Sequence, residues 1–271
     1  MSWKTLLGGL AVLAVVAYVV VVPFVSPWDP NDVDFDLRLQ LPSAEHPLGT
    51  DQFGRDLATR VAVGGRTTLL IAGAALGVIL TVGFLWGATA ALAGRGVDSL
   101  MMRIVDGLLA LPRLPIAIVV LVALRLSAAT AWGIVLALSV AGWMLTARLV
   151  RGHVLSLKTR DYVTAARAIG SSWPRIARRH ILPNSTGILL VAVLLELPVV
   201  VLGEAFLAVL GLGPPAPAAT WGNIAYDGWS SSRVWEMLVA TLAITVFAVS
   251  ASLFADGLAD VLDPRRRGRR A

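Results

Sequence analysis

The sequence predicts an all-α integral membrane protein with six transmembrane helices. Three observations carry that expectation: an apolar share of 57% against 15% charge, long apolar runs, and a mean hydropathy of +0.77. Soluble domains sit nearer half apolar and a quarter charged, so this composition points to lipid as the solvent. Only helices and closed barrels satisfy their own backbone groups there. A barrel would need many short segments of alternating polarity, which this chain lacks.

About 20 apolar residues cross the hydrocarbon core as a helix. Residues 6–25 form the first such run, without a charge, and residues 67–93 a longer uncharged one that could tilt. Residues 104–124 are apolar apart from Asp106 and Arg113, and Pro112 and Pro115 predict a bend. The fourth run, 126–149, follows after a very short turn and has Arg148 at its end. The fifth, 187–212, carries Glu196 and Glu204, and the sixth, 234–255, has Glu236 at its entrance. Lys4 raises a signal-peptide reading of the first run. The run is long for an h-region, however, and Val-Ser-Pro-Trp after it is a poor cleavage site, so a retained helix is expected.

Six crossings put both termini on one side, and basic residues select which. One set of loops and ends holds Lys4, Arg95, Arg103, Arg148, Arg151, Lys158, Arg160, Arg167, Arg175, Arg178, Arg179 and the tail Arg265, Arg266, Arg267, Arg269 and Arg270. The other holds Arg38, Arg55, Arg60, Arg66, Arg125 and Arg233. Sixteen against six predicts that both termini are cytoplasmic. Trp28, Trp132, Trp221, Trp229 and Trp235 then fall near the outer interface, and Trp3 near the inner one. The outer loop is 26–66, the large inner loop 151–186 and the basic tail 263–271.

Several chemistries are excluded or weakened. There is no cysteine, hence no disulfide or thiolate site. Gly64-Gly65-Arg66-Thr67-Thr68 lacks the lysine and glycine spacing of a phosphate loop, and neither G-x-S-x-G nor H-E-x-x-H occurs. His46, His153 and His180 are scattered, which argues against a metal site. A net charge of +6 would suggest nucleic acid in a soluble protein, but in a membrane chain its placement matters more, and no nucleic-acid partner is expected. The chain by itself reads as no enzyme.

The inner loop contains YVTAARAIGSSWPRIARRHILPN, Tyr162 to Asn184. Leu155, Tyr162, Ala166 and Ile169 recur near the helical period with Val163 beside them, which predicts a short amphipathic helix. Gly170 is a natural stop, and Ser171 or Ser172 can cap a second helix that tolerates Pro174 in its first turn and ends at Leu182-Pro183. A basic helix lying on anionic membrane lipid explains the arginines. A rigid knob inserting into another protein explains the Ala165-Ala166 pair and the glycine bend. Composition leaves both open.

This segment resembles the cytoplasmic EAA loop of ABC importer permeases: Glu-Ala-Ala, three residues, Gly, nine residues, Ile, one residue, Leu-Pro. Thr164, Ala165, Ala166, Gly170, Leu182 and Pro183 fall at the matching places, with Thr164 where the glutamate would be and His180 where the isoleucine would be. HPLGTDQFGRDLATRVAVGGRTTLLIA, MMRIVDGLLALP and GEAFLAVLGLGPPAPAATWGNIAYDG are similar to the dipeptide/oligopeptide/nickel class, and more closely to its second permease subunit type. The resemblance implies a type I ABC importer transmembrane domain in the bacterial cytoplasmic (inner) membrane. It implies a heterodimer with a homologous second permease, two ATPase subunits and an extracytoplasmic substrate-binding protein. ATP and Mg would be bound by the partner ATPases and no cofactor by this chain. The coupling residues it implies are Thr164, Ala165, Ala166, Gly170, Leu182 and Pro183, with Tyr162, Ile169 and Arg167 around them.

Charges inside spans are functional candidates. Arg113, Glu196, Glu204 and Asp106 stand for a translocation path or intramembrane pairing, with Asp106 and Arg103 expected as a local ion pair and Glu196 or Glu204 facing Arg113 or the second permease. Gly203, Gly211 and Gly213 suggest tight packing around Glu204. The outer turn HPLGTDQFGRD reads as structural, with Asp–Arg pairing and a cap at Asp56. The cargo expectation is a di- or oligopeptide, with nickel chelates, haem and glutathione as the family's other cargoes. Two rival functions use other chemistry: a proton-coupled secondary transporter relaying through Asp106, Glu196 and Glu204, and a structural membrane anchor.

Overall fold

Among the described residues five helices are long and apolar enough to cross a bilayer, and the number is six if one pair bent by 93° counts as a single span. The computed structural model describes residues 3–124 and 131–262. Arg125, the turn before the fourth run and the basic tail lie outside the described residues. Regular structure among the described residues is helical apart from one antiparallel bridge, Thr50 to Asp56.

Helix α1 spans Trp3–Val25 and α2 spans Leu57–Leu92. The second therefore starts ten residues before the expected span 67–93 and takes Arg60 and Arg66 into helix. Asp56 sets that start: its carboxylate accepts from the Thr59 backbone N–H at 2.7 Å, an N-cap that satisfies a free helix donor.

The third expected span is broken. Helix α3, Arg95–Leu109, and α4, Arg113–Ala123, meet at 93° across residues 110–112. At 1.5 Å per residue they reach only about 22 and 16 Å, each short of a core about 30 Å thick. Pro112 lies at the break, where its ring cannot continue a helix. Helix α5 runs Ala131–Lys158, so Arg151–Lys158 continue a spanning helix instead of opening the inner loop.

Helices α6 (Asp161–Ala168) and α7 (Trp173–Ile176) make the elbow. Beyond α7 the chain stays helical through a π-type turn, Ala177–Ile181, and α8, Leu182–Asn184, into α9, Thr186–Leu207. The second elbow helix thus leads on past Leu182-Pro183 almost without a break. A second π-type turn, a short helix α10 (Trp221–Ser230) and α11 (Val234–Leu262) complete the fold.

Small residues set the close helix crossings, as they do where lipid offers no hydrophobic drive for association. A Cβ on Gly8 would meet the backbone N of Phe254 at 2.5 Å, which places α1 hard against α11. On Gly83 it would meet Thr146 Cβ at 2.6 Å, and on Gly142 it would meet Ile79 Cδ1 at 2.6 Å, so α2 and α5 interlock from both sides. Ile71, Ala75, Ile79, Ile134, Ala141, Val201 and Phe247 belong to the central core that results.

Candidate functional site

The elbow sits on the ends of α2 and α5. Ala88, Ala91, Val150, Val154 and Leu157 of those helices form one buried cluster with Val163 and Ala166 of α6 and with Ile176 and Ile181. Lys158 Nζ donates to the Ala91 carbonyl at 2.7 Å, satisfying the C-terminal end of α2. The Trp173 ring lies under two cations, Lys158 at 4.9 Å and Arg167 at 4.6 Å. The elbow is therefore a seated, packed unit.

Its bend is a glycine cap. Gly170 has φ +87°, and Ser171 N donates back to the Ala166 carbonyl at 3.0 Å, the closing bond of a Schellman turn. Ser172 occupies the next N-cap position without a side-chain hydrogen bond, so capping by a serine hydroxyl is not what starts α7. Pro174 stands in its first turn as expected.

The faces of α6 follow the sequence expectation only in part. Val163 and Ala166 turn inward, while Tyr162 is 41% exposed and Ile169 85% exposed. The register breaks because Leu155 belongs to α5 and the chain leaves helix before Asp161, so one phase cannot run through both. The outward surface holds Tyr162, Thr164, Ala165, Arg167, Ile169 and Gly170, with exposed Leu182 and Pro183 further along. Tyr162 is steadied by the His180 ring at 5.8 Å. Arg160, Arg167, Arg175, Arg178 and Arg179 are exposed along the same segment, so its outward surface mixes apolar groups with cations.

The intramembrane charges fall into separate contacts. Arg113 binds Glu196 through both guanidinium nitrogens, at 2.9 and 2.8 Å. Glu204 does not join them: fully buried, it accepts from Thr68 Oγ1 at 3.1 Å. Asp106 pairs with Arg148 of α5, not with Arg103, because the bend carries α3 across that helix. One turn along, Arg151 grips Asp98 at 2.5 and 2.7 Å, a bidentate pair the sequence reading did not include. The acids named for a proton relay thus have separate partners.

The loop 26–56 is ordered by polar contacts. Asp51 accepts from Arg55 at 2.6 Å and lies 3.3 Å from Arg60 of α2. His46 Nδ1 is 3.0 Å from Asp56, and Trp235 donates to the Leu48 carbonyl at 2.8 Å. The indole of Trp221 is buried between Val61 of α2 and Phe247 of α11, so it packs inside the protein and does not face lipid. The aromatic count pointed to interfaces, and only the packing of α10 beneath the loop places this ring inside.

The chain can now be set beside known proteins. A family model described as "Binding-protein-dependent transport system inner membrane component" matches residues 67–268. The chain belongs to that family. The oligopeptide transport system permease protein OppC of Bacillus subtilis is 35% identical over 264 residues, covering 97% of this chain and 86% of the relative. The dipeptide transport system permease protein DppC of the same organism is 36% identical, with 97% and 83% coverage. A putative peptide transport system permease protein of Brucella suis is 40% identical, with 96% and 87% coverage. Among solved structures, one of inward-facing conformations of the MetNI methionine ABC transporter matches with a TM-score of 0.61 at 18% identity, over 74% of this chain and 94% of that one. That likeness shows the fold of an ABC importer transmembrane domain. This family member is a multi-pass protein of the bacterial cytoplasmic membrane and a permease component of an ABC importer.

Proposed function

We propose that this permease moves di- or oligopeptides by alternating access, driven by ATP that partner subunits hydrolyse. The observation that carries the reading is the elbow: a seated pair of helices with an exposed apolar face, a left-handed glycine bend, and nearly unbroken helix from Trp173 into the membrane. A knob this small buries far less than a standard interface of about 1,600 Å². Stiffness therefore does the coupling, because a shift of the docked partner moves α9 with it.

In this reading both termini are cytoplasmic, and Tyr162, Ala165, Ile169, Gly170, Leu182 and Pro183 receive an ATPase subunit that carries ATP and Mg. Thr164 contributes its position at the rim, and Arg167 and its neighbours steer association. A homologous second permease completes a heterodimer with its own ATPase, and an extracytoplasmic binding protein delivers cargo to the ordered 26–56 loop. Peptide cargo is supported by the names of the relatives.

Gly170→Val in the reconstituted transporter tests the coupling. Insertion into the membrane is expected to survive while ATP hydrolysis stimulated by the loaded binding protein is lost; normal uptake by this variant would refute the reading. Cargo is read from the ligand that copurifies with the binding protein. A peptide is expected, and a nickel chelate, haem or glutathione would replace it.

A further inference from the structure

On the α4–α9 face a charged pair stands beside a cavity. Arg113 donates to both carboxylate oxygens of Glu196 and, through Nη2, to the Gly142 carbonyl at 3.1 Å. The Glu196 side chain is 2% exposed and that of Arg113 30%. Next to them opens a cavity of about 380 Å³ lined by apolar groups, among them Leu114, Leu138, Val199 and Phe206. Its size and its apolar wall with few convergent polar groups are those of a small-molecule site. A part-exposed guanidinium at spanning depth does not face hydrocarbon; it lines a water-filled path or meets protein.

Two features make this corner favour an anion. Arg113 is the first residue of α4, and Pro112 at the N-cap gives no side-chain hydrogen bond, so the positive end of the helix dipole lies there. The guanidinium fork also matches a carboxylate in two parallel hydrogen bonds. Glu196 already occupies that fork as a resident carboxylate. It rides on α9, the helix that continues the elbow, whereas Arg113 rides on α4, beyond the break at residues 110–112. A displacement of α9 relative to α4 would change the separation of these two groups.

We propose that the Arg113–Glu196 pair is a carboxylate-exchange subsite of the translocation path: α9 withdraws Glu196, and the terminal carboxylate of the peptide takes its place on Arg113. The proposal rests on the peptide-importer reading above and adds the group that the path recognises.

The test uses the whole transporter in proteoliposomes, with trialanine and trialanine amide as probes, and compares the acid-to-amide uptake ratio of each variant with that of the unaltered transporter. The binding protein's own preference is common to all samples and cancels. Arg113→Gln is expected to lower the ratio by about tenfold, the worth of a charge-assisted hydrogen bond. The isosteric Glu196→Gln is expected to raise it, because the guanidinium loses its competitor. Equal changes for both probes in both variants, as a merely structural pair would give, overturn the proposal while leaving the importer reading intact. Absence of ATP-dependent uptake in the unaltered transporter defeats the importer reading, and the subsite with it.

Discussion

Trp221 Nε1 donates to the Val61 main-chain carbonyl at 2.9 Å, tying α10 to the first turns of α2. The Trp221 backbone N–H reaches Thr68 Oγ1 at 3.2 Å, and that hydroxyl in turn donates to Glu204 of α9. Trp221 and Thr68 together thus link α10, α2 and α9 near the loop end of the bundle. Trp221→Phe, which keeps the ring and loses the hydrogen bond, is expected to cost about 1 kcal/mol. Trp221→Ala should cost about 3–5 kcal/mol through the cavity it leaves. Thermal unfolding of the detergent-solubilised protein measures both, and similar values for the two would refute the assignment.

Glycines of α2 separate into packed and open positions. A Cβ on Gly65 would meet Trp221 Cζ2 and a Val19 methyl at 2.6 Å, whereas one on Gly73 would meet nothing within 4 Å. Gly65→Val is expected to destabilise by at least about 1–3 kcal/mol through overpacking, and Gly73→Val to be tolerated in the isolated chain. Expression and melting temperature compared side by side decide the matter.

The Arg113–Glu196 and Arg148–Asp106 pairs should differ in weight. Glu196→Ala leaves Arg113 without its partner beside an apolar cavity, at a cost near about 3 kcal/mol. Asp106→Ala breaks a pair whose side chains are 59% and 51% exposed, which should cost less than about 1 kcal/mol. Unfolding midpoints that ranked them the other way would contradict the burial argument.

On the elbow, stability and coupling should come apart. Ile169 is 85% exposed, so Ile169→Asp is expected to leave stability within about 0.5 kcal/mol while abolishing stimulated ATP hydrolysis. Val163 is 1% exposed, and Val163→Asp should prevent stable folding of the elbow itself. Limited proteolysis separates the two: increased cutting within residues 159–185 is expected for the second variant alone.

Asp227 of α10, outside the spans, offers a pH test. Burial pushes its carboxyl above the usual range, with Arg60 and Arg55 pulling it back. The folded state therefore holds this proton more tightly than the unfolded chain. Stability is lost as pH rises from the ordinary aspartate pKa through the raised one, and is level above it. Asp227→Asn should melt above the unaltered protein at neutral pH, and the gap should close in acid. A gap that widens in acid would reverse the sign and exclude burial as the cause.

Membrane class, helical fold, and the elbow with its glycine turn were legible in the residues. Run length and composition report directly on the solvent a segment prefers, and glycine, proline and small residues report on local backbone geometry. Partnership was not legible. That Glu196 rather than Glu204 meets Arg113, that Asp106 meets Arg148, and that Trp221 is interior depends on how helices far apart in sequence cross. The inward face of α6 was only half legible: Val163 and Ala166 turn inward as grouped, but Tyr162 and Ile169 face out, because the phase is set by the break after α5 and not by one period running through it. Local chemistry thus determined which segments form long apolar helices and where they turn. Tertiary packing alone decided which charges neutralise one another there, since an ion pair needs proximity that one-dimensional spacing does not contain.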